Sequence, residues 1–210
     1  MKGMKMLMLT MTTALTFTAC SPSKDSLETF NNKINKAQQE ENIIVDLNEK
    51  MKKAENEKTK KIKSLDEAKG QDYRNKAQSI VDNIDKRESL VEDEQKAMNK
   101  SQKIYSESKS ELKKIKDQSQ RKEAKELMDE LENKYKAHDK VVEGYNKSLD
   151  KEKELFSYLA KEKATQDGTN KRAKALTDEN KNTAKVVSDY QNQVKKVMKE
   201  KKDIEQYLEA

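Results

Sequence analysis

The chain has 210 residues, 40% of them charged and only 32% hydrophobic, with no Trp, one Pro, four Gly and a formal net charge of +6. Such a composition cannot build a compact core of ordinary size. It leaves two states open, disorder or long solvated helices that share a narrow apolar seam.

The chain opens with an export pattern. Lys2 and Lys5 form a short basic region, Met6 to Thr18 is an uncharged apolar stretch too short to span a bilayer, and Phe17-Thr18-Ala19-Cys20 looks like a lipobox. In that motif small residues before the cysteine admit the lipoprotein signal peptidase, and the thiol takes a diacylglycerol through a thioether. Phe17 stands where Leu is usual. The expectation is a signal peptide over 1–19 that is removed, and Cys20 as the lipidated mature N-terminus on a short tether, 20–25. The protein is then held at the extracytoplasmic face of the cytoplasmic membrane. Without Lys2 and Lys5 the chain keeps 43 basic against 39 acidic residues, a net of about +4.

Periodicity decides between disorder and helix. Asp25 with Glu28 resembles a capping box ahead of a first run, in which Leu27, Phe30, Ile34, Ala37, Ile44, Leu47, Met51, Ala54, Ile62 and Leu65 follow helical spacing. Gly70 suits a helix C-terminus and Asp72 the next cap. The second run, Tyr73, Ala77, Ile80, Ile84, Val91, Met98, Tyr105, Leu112 and Ile115, steps by three and four, and polar Arg87, Glu94, Ser101 and Ser108 fill its skipped sites. Across Lys116-Asp117-Gln118-Ser119-Gln120 the stripe slips by two residues. That predicts a turn, with a bent continuous helix as the alternative.

The third run holds Ala124, Met128, Leu131, Tyr135, His138, Val142, Tyr145, Leu149, Phe156 and Leu159, with Gly144 as a point of close packing. Gln166 to Asn170 reads as a loop, with Thr169, or Thr177 ahead of Asp178 and Glu179, as the next cap. Leu176, Val187, Tyr190, Val194, Val197, Ile204 and Leu208 complete the last run. The predicted fold is all-α, an elongated antiparallel bundle or coiled-coil-like rod forming one domain over 26–209. Four helices of about 40 to 45 residues would span roughly 60 to 70 Å. A continuous helix through Ser119 would make it three helices, one of double length.

Catalytic equipment is sparse. His138 lies between Tyr135 and Val142 on the apolar face, as a core histidine does, and no second His or Cys accompanies it toward a metal site. Carboxylate pairs such as Glu40-Glu41 and Asp178-Glu179 sit among lysines, without an apolar pocket to raise a pKa. No Gly-rich phosphate loop is present. The expectation is a protein that is not an enzyme and carries no cofactor or metal. Lysine clusters offer contacts to an anionic polymer instead: Lys60, Lys61 and Lys63; Lys113, Lys114 and Lys116, followed by Arg121-Lys122; and Lys195 and Lys196. Specific nucleic-acid readout is not expected, because the tyrosines lie on the apolar stripes and are not interleaved with the lysines.

The segments Lys134-Tyr135-Lys136-Ala137-His138-Asp139 through Tyr145, and Asp150-Lys151-Glu152-Lys153-Glu154-Leu155-Phe156, carry a family likeness. They resemble the Tyr-x-x-His-Asp and Asp-Lys-Glu-Leu-Tyr segments of the YkyA family, lipoproteins of Gram-positive bacteria to which cell-wall binding is ascribed; Phe156 stands where a Tyr is common. The resemblance implies a long helical protein outside the cytoplasmic membrane, with no catalytic residues to carry over. It points to binding of peptidoglycan or teichoic acid. The other reading is a scaffold or adaptor whose partner is a surface protein docked on a helical face. A wall hydrolase would require a pocket of convergent carboxylates. In either binding reading Tyr135, His138 and Tyr145 form a seam with polar tips.

Overall fold

A computed structural model of the chain describes residues 22–209, with side chains from Asp25 onward. Phe17, Thr18, Ala19 and Cys20, and with them the export signal and the lipidation site, lie outside the described residues. Among the described residues there are five helices and no strand: α1 (Pro22–Glu40), α2 (Ile43–Leu65), α3 (Gly70–Leu112), α4 (Gln118–Leu159) and α5 (Gln166–Glu209). None is long and apolar enough to cross a membrane.

The all-α expectation holds, and the helix ends refine it. Pro22 opens α1, a position that tolerates its missing N–H, so the helix already includes residues 22–25 of the expected tether. Asp25 stands in the first turn, where a carboxylate meets the positive end of the helix dipole. The first run is two helices. At Glu41-Asn42 the backbone tightens to bonds three residues apart, Glu41 N to Gln38 O (3.0 Å) and Ile44 N to Glu41 O (2.9 Å) among them. The apolar rhythm continues across this break, which is why spacing alone conceals it.

Further along, Gly70 takes the left-handed φ of +55° that suits glycine. Asp72 pairs with Lys76 (3.0 Å). The turn near Ser119 is real: α3 ends at Leu112 and α4 starts at Gln118, capped by the Asp117 carboxylate, which accepts from Gln120 N at 2.8 Å. The loop expected at Gln166–Asn170 is instead the start of α5, and residues 160–165 make the connection. Thr165 is the cap, its Oγ1 accepting from Gly168 N at 3.1 Å. Gly168 lies inside the helix, where the Tyr158 ring fills the space a side chain would need. Arg172 stacks on that ring at 3.9 Å and donates to Gly168 O.

Among the described residues packing forms two compact units, between which α2, α3, α4 and α5 are divided. One comprises residues 46–94 and 140–187; the other comprises the described residues up to Val45, then 95–139 and 188–209. The first unit's core includes Met51, Ile80, Ile84, Val91, Tyr145, Leu149 and Phe156. There α2 and α3 run antiparallel, as Lys76 donating to Ser64 O (3.2 Å) and Asn83 to Ala54 O (3.0 Å) record, and Lys153 on α4 pairs with Asp85 (2.7 Å). The second unit's core includes Leu27, Phe30, Ile34, Met98, Ile115, Leu127, Leu131 and Ile204. There Lys33 pairs with Glu111 (2.8 Å), and Tyr105 Oη donates to Met128 O (2.8 Å).

Gly144 confirms close packing. A Cβ there would lie 3.2 Å from Thr183 Oγ1 and 3.3 Å from Val186 Cγ2, and Thr183 Oγ1 donates to Gly144 O at 2.8 Å. Gly144→Leu therefore forces α4 and α5 apart. The expected loss is about 1–3 kcal/mol, despite a propensity gain of about 1 kcal/mol, measured as the shift in the urea unfolding midpoint.

Candidate functional site

The polar residues that interrupt the second apolar run do not face water. Arg87 is 1% exposed, Glu94 2%, and Ser101 and Ser108 fully buried. Ser108 is satisfied within α3, its Oγ donating to Tyr105 O (2.6 Å), whereas a buried charge such as Arg87 is tolerated only when paired and hydrogen-bonded.

In the first unit Arg87 is so paired. Its guanidinium donates to Glu55 Oε1 on α2 (2.6 Å), to Glu152 Oε1 on α4 (2.7 Å) and, through Nε, to Asn83 Oδ1 (3.1 Å). Lys58 reinforces both carboxylates, at 2.6 Å from Glu55 and 3.5 Å from Glu152. Tyr145 Oη donates to Glu55 at 3.1 Å. Burial pushes the Glu55 carboxyl up, but the charges of Arg87 and Lys58 together outweigh it and hold it below its ordinary value. Burial disfavours the Arg87 cation, yet Glu152 and Glu55 reverse this and raise it. Burial and then Glu55 push the Tyr145 phenol up. A general acid needs the opposite of what is done to Glu55.

A second cluster forms in the other unit. Glu41, brought inward by the tight turn after α1, accepts from Lys134 Nζ at 2.7 and 2.5 Å and from Ser101 Oγ at 2.6 Å. Ser101 has one proton, so the 2.7 Å contact with Tyr135 Oη leaves Tyr135 as donor. Burial, then Glu41, raises the Tyr135 phenol. Burial, then Glu132 and Asp129, pushes the neighbouring Tyr105 phenol up to about 12. Lys201 is buried and donates to Gln38 Oε1 (2.5 Å); burial lowers its pKa, Glu205 opposes this, and Lys134 adds to it. His138, 1% exposed, meets the Tyr190 ring edge-on at 5.5 Å. Tyr135, His138 and Tyr145 are therefore seam residues with polar tips.

The profile of the YkyA family, described as "Putative cell-wall binding lipoprotein", matches residues 25–207. The chain belongs to that family. A solved structure, titled as the 1.6 Å crystal structure of a conserved protein of unknown function from Staphylococcus aureus, superposes with a TM-score of 0.75 at 26% identity. That match covers 90% of this chain and 97% of the other. No curated protein matches the chain.

In this YkyA-family chain the sequence-derived lysines face solvent. Lys60 and Lys63 are exposed on α2 with Lys61 half-buried, all in the first unit. Lys113, Lys114 and Lys116 are exposed where α3 gives way to α4, and Lys195 and Lys196 are exposed on α5, all in the second unit. The structure gathers Lys113, Lys114 and Lys116 on one turn; Lys114 also pairs with Glu111 (2.8 Å). The sequence alone did not reveal that the skipped sites mark buried ionic clusters, although their seven-residue spacing was visible. It also missed Glu123, Glu200 and Asp203, half-buried, whose oxygens lie within 4.8 Å of one another. Lys199 bridges two of these, at 2.9 Å from Glu200 and 3.0 Å from Asp203.

Removing one partner of a buried cluster strands the others. Arg87→Ala is expected to cost about 3–5 kcal/mol in urea unfolding, and combining it with Glu55→Leu and Glu152→Leu to recover at least half of that loss. Glu55 has a folded pKa below the ordinary 4.5, so its stabilisation is present above that value and is lost as pH falls through the folded one. Between pH 6 and pH 3 the urea midpoint should fall, and it should fall less in Glu55→Gln.

Proposed function

We propose that this protein is a membrane-anchored surface lipoprotein, without enzymatic activity, that binds anionic cell-wall polymer through exposed lysines. The observation that carries the reading is a family match beginning at residue 25, directly behind a lipobox that ends at Cys20. The interior supports it: Glu55 and Glu152 are tied to Arg87, and Glu41 to Lys134, so the charge of these carboxylates is matched inside the fold. Lys60, Lys63, Lys113, Lys116, Lys195 and Lys196 face solvent, and peptidoglycan carboxylates or teichoic-acid phosphates have the complementary charge.

A second reading, an adaptor for a surface protein, is favoured by one observation. Ile43 (54% exposed), Val45 (39%) and Met198 (41%) present apolar side chains to solvent in the second unit. Salt separates the two, since lysine contacts to a polyanion weaken steeply with ionic strength and apolar docking does not.

The test is sedimentation of residues 21–210 with Gram-positive walls, intact and stripped of teichoic acid, across a salt series. Binding that falls with both the acid and the salt is expected. Absence of binding to either wall would sink the polymer reading and leave the adaptor.

A further inference from the structure

The second unit carries a patch whose position relative to Cys20 gives it a different partner from the wall. α1 and α4 run parallel there, and the Glu41–Lys134 pair sets their offset at 93 residues. Both helices advance about 1.5 Å per residue, so Asp25 stands level with Gln118 at the start of α4. The antiparallel pair α1 and α3 agrees: Lys33 meets Glu111, and Leu27 and Ile115 are fully buried in the same core. The first turn of α1 and the connection between α3 and α4 therefore share one end of this unit.

The connection itself is basic: the stretch Lys113 to Lys122 holds five cations, Lys113, Lys114, Lys116, Arg121 and Lys122, all exposed, against one carboxylate. Acidic groups flank it, Glu111 pairing with Lys114 (2.8 Å), Glu123 following on α4, and Asp203 and Glu205 on the turns of α5 whose Tyr207 meets Ser119 (2.8 Å). The stretch's own carboxylate, Asp117, is engaged in capping α4. On α1, Asp25 is likewise set at a helix N-terminus, and Glu28 is half-buried. Lys122 contacts Glu126 only at 3.4 Å, with both side chains largely in water.

Cys20 precedes Pro22 by two residues, a reach of at most about 7 Å. An acyl chain on Cys20 enters the bilayer, so the start of α1 lies within about one Debye length, ~8 Å, of the headgroups. We propose that the five cations around the α3–α4 connection form a membrane-facing patch that holds anionic phospholipid headgroups beside the lipid anchor. This rests on the lipoprotein reading and gives the basic residues two roles, with Lys113, Lys114, Lys116, Arg121 and Lys122 facing the membrane and Lys60, Lys61, Lys63, Lys195 and Lys196 left to the wall. The diacylglycerol expected on Cys20 already brings two chains, so the patch adds to the anchor, and its share is read beside a single chain, which alone is marginal. Each Lys or Arg near an anionic surface contributes about a fivefold gain in affinity.

The test uses the mature chain, Cys20–Ala210, with its thiol alkylated by a single hexadecyl group, in cosedimentation with two kinds of vesicle: phosphatidylcholine alone, or with a third of the lipid replaced by phosphatidylglycerol. Binding at least tenfold tighter to the anionic vesicles is expected. K113Q/K114Q/K116Q/R121Q/K122Q should lose that gain, and K60Q/K61Q/K63Q should retain it. Equal binding to both vesicles, or equal loss in both variants, overturns the proposal. So does a five-site variant that loses wall sedimentation while keeping its vesicle preference, because the patch would then serve the polymer. Fatty-acid labelling of the cellular protein separates the two readings: without label at Cys20 the anchor fails and this inference with it, whereas label together with indifference to lipid charge overturns this inference alone.

Discussion

Arg87 is the residue on which the first unit's interior depends. A chain with so few hydrophobic residues cannot fill the seam of three neighbouring helices with apolar side chains alone, and at this level it places a guanidinium between two carboxylates. The planar fork of Arg serves two acceptors on different helices while Nε engages Asn83, a geometry an ammonium lacks. Desolvation makes such a cluster a poor source of net stability and a strict condition on it: every member must be present. The second unit solves the same shortage with Glu41, Lys134, Ser101 and Tyr135.

Much of the fold was legible because burial repeats. Leu27, Phe30 and Ile34, or Ile80 and Ile84, appear in the core as their spacing requires. Helix ends were less legible, since they are set by side chains whose partners are remote or whose rings must swing into place. Glu41 interrupts the first run without Gly or Pro, through a carboxylate directed at α4. Gly168 looked like a loop residue because the Tyr158 ring that makes glycine necessary lies ten residues away.

The candidate site divides the same way. Exposure of the lysine clusters follows from their place off the stripe. Their separation into two groups does not, because it depends on which helix ends share a level, a property of pairing between elements distant in sequence. Arg87 and Glu94 were visible as polar residues at seam positions, and periodicity could not tell a tolerated exposure from an enforced burial. What decides is the partner, and Glu152 is 65 residues from Arg87.

The seven-residue spacing of Arg87, Glu94, Ser101 and Ser108 has a consequence for how the chain finds its alignment. Heptad seams built from similar aliphatic residues permit a helix to slip by one repeat and still bury an apolar face. Here a one-repeat slip of α3 that brought Glu94 to the level of Arg87 would set a third carboxylate against Glu55 and Glu152 and withdraw the only guanidinium they share. Slipping the other way would offer them a neutral residue, Ile80. The four interruptions are ordered so that one alignment satisfies the buried charges, and misaligned bundles are left with unpaired ions during folding, before any function is at stake.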